Sequence, residues 1–240
     1  MGFTIHRMEA RVSAAKVAKF ASSESGDSLE LIERPTGGLS FVLVDGQRSG
    51  KSAKAISSVV ARKAISLLAE GVRDGAAARA ASDYLVTYRG GKVVATLNIL
   101  SIDVQSQSLV ITRNNPAPVL LVQKRKVLAV DEPVEAVGSR RGMRPCIREV
   151  PLETGLAMVM YTDGLSNAGD RAGQRLDVPA VVEEMARQGE PDPAIWSDRL
   201  LKMALELDQG RASDDVSIVV AAILERTADE SRRLTFQMPL

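Results

Sequence analysis

Three strongly apolar runs, far apart in the chain, each meet an aspartate at one end. Phe41–Val44 leads into Asp45-Gly46, Met158–Thr162 leads into Asp163-Gly164, and Val216–Leu224 follows Asp214-Asp215. A short apolar run bounded by turn residues reads as a strand buried in a core. A carboxylate at the mouth of such a strand is costly to desolvate unless something positive meets it. Three such mouths point to one shared site for a cation. A fourth candidate, Asp27, follows Gly26 in the polar segment upstream.

The runs between these points set the fold class. Residues 1–20 begin a strand, 22–28 a turn, Leu29–Glu33 a short strand, and Ser40–Val44 a buried one. A helix is expected over 51–70, because Ile56, Val60, Ala64 and Leu67 repeat at helical spacing. An alanine-rich helix over 74–89 should stop at Gly90-Gly91. Strands return at Val93–Ile102, Leu109–Arg113 and Val119–Val122, with Asn114-Asn115-Pro116 as a turn. Residues 131–155 read as an irregular stretch with a basic cluster, Arg140, Arg141 and Arg144, and Ala157–Tyr161 as a strand. Asp177 can cap one helix, with Val178, Val181, Val182 and Met185 inward. Asp192-Pro193 begins another, with Trp196, Leu200, Met203 and Leu207 inward. Strands in groups separated by helix pairs argue for layered α+β with antiparallel sheets, against a doubly wound parallel sheet. Residues 1–225 are expected as one domain and 226–240 as a tail, either flexible or adding an edge strand.

Composition excludes several chemistries. Thirty-one basic residues balance 30 acidic ones, so there is no nucleic-acid footprint. One cysteine, Cys146, and one histidine, His6, leave no disulfide framework and no zinc site of the usual kind. No signal peptide or membrane-length apolar block is visible, which favours a cytoplasmic protein. Oxygen ligands without His or Cys suit hard cations such as Mg²⁺ or Mn²⁺. The glycine after an aspartate also lets a backbone carbonyl approach an ion. Each Asp-Gly, taken alone, is equally a turn signal.

The stretch Gly46-Gln47-Arg48-Ser49-Gly50-Lys51-Ser52 between strand and helix imitates a phosphate-binding P-loop. That loop needs four residues between its glycines and this one has three. A nucleotide-binding protein therefore stands only as a second alternative. The other readings are a polar turn, or a loop whose important residue is Asp45.

Six segments in order carry a resemblance: Ser25-Gly26-Asp27, Val44-Asp45-Gly46 with Gly50 and a helix, Ala95-Thr96-Leu97, Asn115-Pro116-Ala117-Pro118, Tyr161-Thr162-Asp163-Gly164-Leu165, and Ser213-Asp214-Asp215-Val216-Ser217. Together, over about residues 20–225, they resemble the metal-dependent serine/threonine phosphatases of type 2C, in their bacterial sporulation stage II E and RsbX-like branch. The resemblance implies a four-layer αββα sandwich and two Mn²⁺ or Mg²⁺ ions activating a water. Asp45 would bridge the ions, the Gly46 carbonyl would bind one, and Asp163 and Asp214 would hold one. Asp27 would sit nearby, with Asp215 second because strand alternation turns it away. The eukaryotic branch has a histidine two residues after the bridging aspartate, where this chain has Gln47. Arg48, or the Arg140, Arg141 and Arg144 cluster, would steer the phosphate. The implied substrate is a phosphorylated protein, such as an anti-sigma-factor antagonist in bacterial stress response or sporulation. The alternative is a catalytically weak module that binds a phosphoprotein or regulator.

Overall fold

Alternate residues of the strand before Asp45 enter two different interfaces. Val42 and Val44 pack with a helix pair, whereas Phe41 and Leu43 pack against a second sheet. A strand buried on both faces has no polar side, which is why this run reads as continuously apolar. The structure, a computed structural model, describes residues 8–226 and 231–237. His6, the start of the first expected strand and part of the expected tail lie outside them.

Two five-stranded sheets form the centre. The first has the order β1 (Met8–Val17), β10 (Val216–Glu225), β9 (Ala157–Tyr161), β6 (Val119–Gln123), β7 (Lys126–Val130). The second has the order β2 (Asp27–Glu33), β3 (Leu39–Gly46), β4 (Ala95–Asp103), β5 (Ser108–Asn114), β8 (Cys146–Pro151). Every neighbouring pair is antiparallel. Helices α1 (Gly50–Ala69) and α2 (Asp74–Arg89) cover the second sheet, and α4 (Val178–Gln188) and α5 (Pro193–Leu207) cover the first. A short helix, α3 (Asp163–Ser166), follows β9. Four layers have three interfaces, and the buried apolar residues fall into three matching clusters. Each fully buried aliphatic side chain in them contributes about 2 kcal/mol. This is the expected α+β αββα sandwich.

The helices begin and end as their sequences direct. Asp177 Oδ1 accepts from the Ala180 amide, and Asp192 Oδ1 accepts from Ala194 and Ile195. Gly90, at φ 60°, closes α2 in the left-handed region that glycine enters without strain. On α1, Leu68 takes the fully buried place expected of Leu67, which is only partly buried. Leu68 lies four residues after Ala64, so it continues the inward stripe directly.

Elsewhere the structure departs from the expectation. Strands β7 and β8 were not anticipated, and β2 begins at Asp27 instead of Leu29. β7 and β8 are sheet edges with several exposed side chains; β8 carries no apolar run, whereas β7 contains the short run Val127–Val130. Residues 231–237 form no strand, and Arg232 there reaches Glu33 at 3.2 Å. No helix among the described residues is long and apolar enough to cross a membrane.

Candidate metal centre

The register of β2 and β3 puts Asp27 directly opposite Asp45. In an antiparallel pair that spacing is about 5 Å between Cβ atoms, and like charges there oppose folding. Both carboxyls face the space between the sheets, on the same strand faces as Leu29 and Leu43. Asp163 opens α3 just beyond the end of β9, and Asp214 stands just before β10. A cleft of about 250 Å³ is lined by Asp45, Gly46, Gln47, Arg48, Asp163, Asp214 and Asp215. The three expected strand mouths therefore meet at one end of the sandwich, with contributions from both sheets.

The glycines beside these aspartates serve close approach, not turning. A Cβ on Gly46 would lie 2.1 Å from the Ala53 carbonyl oxygen in α1. One on Gly164 would lie 2.1 Å from the Asp215 carbonyl oxygen, and one on Gly26 would lie 2.6 Å from Ala53 Cβ. None of the three has a positive φ. The Asp-Gly pairs are thus points where neighbouring backbones touch, and each glycine holds its aspartate against another element.

Asp27 is fully buried and joins the sheets. Its Oδ2 accepts from Ser217 Oγ at 2.6 Å and from Thr162 Oγ1 at 3.0 Å, while Oδ1 is buried without a hydrogen-bond partner. Its backbone carbonyl accepts from two ammonium groups, Lys16 Nζ on β1 and Lys54 Nζ on α1, each at 2.7 Å. Thr162 and Ser217 adjoin two of the expected aspartate motifs, yet nothing in the sequence pattern gives either a role. Asp215 behaves differently from Asp214. Its Oδ1 accepts from the Lys19 amide and its Oδ2 from the Gly26 amide, both at 2.9 Å. It braces the loop that delivers Asp27. Asp214 is partly exposed, with Lys19 Nζ at 3.8 Å.

Electrostatics mark the cluster as strained. Burial, then the charges of Asp27, Asp163 and Asp214, push the Asp45 carboxyl far above the usual range. Asp27 is raised by burial, against the pull of its bonds to Ser217 and Thr162. Asp163 is raised by burial and by Asp214. Among the described residues no three His, Cys, Asp or Glu side chains are already drawn into a metal-binding arrangement. The donor set nevertheless fits a hard cation: carboxylates and a backbone carbonyl, one buried carboxylate oxygen unpartnered, and no nitrogen or sulfur ligand.

The surrounding loop is fixed as well. The Gln47 amide donates to the Val94 carbonyl, and its side-chain Oε1 accepts from the Val94 amide, both at 3.2 Å. Arg48, at φ 83°, takes a backbone conformation unusual for a residue with a side chain, and it lines the cleft. Arg140, Arg141 and Arg144 do not line it. Because β3 belongs to an antiparallel sheet, the glycine loop lacks the parallel βαβ setting of a nucleotide P-loop. The Asn115 side-chain Nδ2, in the expected turn, donates to the Tyr161 carbonyl at 3.0 Å and ties the sheets together beside the cleft.

Comparison with known proteins bears on the family and the fold. Residues 35–224 match the family model described as stage II sporulation protein E (SpoIIE). Stage II sporulation protein E of Priestia megaterium is 20% identical over 213 residues, covering 89% of this chain and 36% of that protein. The type 2C phosphatase domain of SpoIIE from Bacillus subtilis, solved with a fragment of its regulatory domain, superposes with a TM-score of 0.79 at 21% identity. That match covers 92% of this chain and 65% of the other. The catalytic domain of the serine/threonine protein phosphatase PstP, solved with two manganese ions, superposes with a TM-score of 0.68 at 17% identity. It covers 90% of this chain and 99% of the other. The chain thus spans about a third of the curated relative it matches.

Proposed function

Since this chain belongs to the stage II sporulation protein E family, with a type 2C phosphatase fold, we propose that it is a metal-dependent phosphoserine/phosphothreonine protein phosphatase. The observation that carries the reading is the convergence of Asp45, Asp163 and Asp214, from both sheets, on one cleft beside buried Asp27. Asp45, the Gly46 carbonyl, Asp163 and Asp214 would hold two Mn²⁺ or Mg²⁺ ions. Asp27 would act from behind them, and Asp215 as the brace of the Asp27 loop. Such ions supply a nucleophile at neutral pH and positive charge against the phosphoryl oxygens.

The chain's own side chains do the positioning. The Arg48 guanidinium, at the cleft wall, binds the phosphoryl oxygens of the incoming phosphoserine. Gln47, tied to Val94, keeps that loop in place but has no titratable proton to give. The leaving serine oxygen then takes its proton from water at the open cleft. Residues 1–225 would form the phosphatase domain, with 226–240 appended to it. The substrate we favour is a phosphorylated cytoplasmic regulator, an anti-sigma-factor antagonist by chemistry of class. Phosphate release from p-nitrophenyl phosphate and from phosphoserine peptides, with Mn²⁺ and with EDTA, tests the reading. Mn²⁺-dependent release supports it, and Mn²⁺ binding without hydrolysis would make the chain a binding module instead.

A further inference from the structure

The two helical layers carry opposite charge. Residues 47–92, spanning the loop, α1 and α2, hold nine basic and three acidic residues. Residues 177–208, spanning α4 and α5, hold three basic and eight acidic ones. In the acidic layer every cation is neutralised: Arg187 pairs with Glu183, Arg199 with Glu184, and Lys202 with Glu206. In the basic layer none of the nine forms an ion pair among the described residues. Lys54 turns inward to the Asp27 carbonyl. Of the layer's own three acids, Asp74 is buried against Arg34, Asp83 accepts from the Gly142 amide, and Glu70, exposed at the end of α1, forms no ion pair among the described residues.

The same face presents flat aromatic surface. Tyr84 and Tyr88, on successive turns of α2, stack with centroids 5.9 Å apart and planes within 7°. They are 44% and 56% exposed. Lys63 of α1 lies over Tyr84 at 5.8 Å, and Arg89 over Tyr88 at 5.4 Å. The basic cluster that the cleft does not use lies here too, since Arg141 Nη2 donates to Thr87 Oγ1 at 3.2 Å. An exposed aromatic pair held rigid by flanking cations is the composition of a contact surface. Unpaired cations on one layer give it a field that attracts negative charge.

We propose that the α1–α2 face, with Arg62, Lys63, Tyr84, Tyr88 and Arg141, docks an acidic protein segment and feeds the phosphoserine to the cleft. The continuity is direct, because Arg48 in the cleft wall is two residues from the start of α1. The identity of the partner as a phosphoprotein rests on the phosphatase reading, whereas its acidity rests on the charges alone.

Fluorescence anisotropy in EDTA tests docking without turnover. Two labelled phosphoserine peptides serve as probes, one with Asp/Glu-rich flanks and one with Asn/Gln-rich flanks. About 25 residues at ~3.4 Å each suffice to run the length of α1. The acidic peptide should bind on the order of tenfold more tightly at low salt and lose that margin by about 0.5 M NaCl. The double variants Arg62→Glu/Lys63→Glu and Tyr84→Ala/Tyr88→Ala should each erase the margin, with p-nitrophenyl phosphate turnover unchanged. Equal binding of both peptides, or a margin that survives both variants, overturns the proposal. So does charge-dependent capture by phosphatidylserine vesicles with no peptide preference, which would make the face a membrane contact. If no Mn²⁺-dependent turnover is found, the phosphatase reading fails while the anisotropy result still stands on its own.

Discussion

Asp27 and Asp45 occupy the same rung of the β2–β3 ladder, where two carboxylates face one another across the strands. Only Asp27 is compensated within the protein, through Thr162 and Ser217. The repulsion left on Asp45 is the mark of a place kept for positive charge.

Replacing Asp45 by Asn should therefore move stability and activity in opposite directions. Removing a carboxyl that the metal-free fold can bury only by taking up a proton should raise the melting temperature in EDTA by about 1–4 °C. Mn²⁺-dependent hydrolysis of p-nitrophenyl phosphate should fall on the order of 10²-fold or more. Asp163→Asn should show the same activity loss. Differential scanning fluorimetry beside a phosphate-release assay reads both effects, and wild-type turnover in the two variants would remove the metal model.

The pH dependence of the metal-free protein follows from the same repulsion. Asp45 is raised from 3.8 to about 9, so the folded state binds more protons than the unfolded state between those values. Stability must then fall as pH rises through that window. Mn²⁺ should oppose the trend, with the gain in melting temperature growing with pH because ion and proton compete. A melting temperature in EDTA that rises steadily from pH 5 to about 8 would contradict the assignment.

The glycines at the aspartates should tolerate no side chain. Gly46→Ala and Gly164→Ala each drive a Cβ to 2.1 Å from a backbone oxygen, and should cost about 1–3 kcal/mol in urea denaturation. Gly189→Ala is the control: its φ of 172° is extended backbone and nothing lies within 4 Å of the added atom. It should change stability by no more than about 0.5 kcal/mol.

Asp214 and Asp215, neighbours in sequence, should separate by phenotype. Asp215→Ala strands the Lys19 and Gly26 amides, costing about 1–3 kcal/mol with or without metal. Asp214→Ala should leave the EDTA melting temperature near that of the parent and weaken Mn²⁺ affinity in calorimetry.

Much of this was legible in the sequence, and the boundary follows burial. Strands packed on both faces, such as β3, β9 and β10, announce themselves as apolar runs, and α2 lies where its composition put it. The edge strand β8 stayed hidden because four of its six residues meet solvent, whereas the short apolar run Val127–Val130 of β7 was a signal present in the sequence. Asp27 is the instructive case. It lies in a Ser-Gly-Asp-Ser segment that reads as a turn, yet it is 0% exposed. Its burial depends on hydroxyls from residues 162 and 217, more than a hundred positions away. No local pattern encodes such a contact. Likewise an Asp-Gly dipeptide cannot reveal whether its glycine turns the chain or admits a neighbour.

Asp27 and Asp45 belong to one sheet, while Asp163 and Asp214 flank strands of the other. Neither sheet alone holds the cleft. A folding intermediate with complete helices and two correctly paired but undocked sheets would look native by circular dichroism and still bind no ion. If the proposed site takes Mn²⁺, tight uptake during refolding would accordingly report sheet docking, the event that turns two half-sites into one.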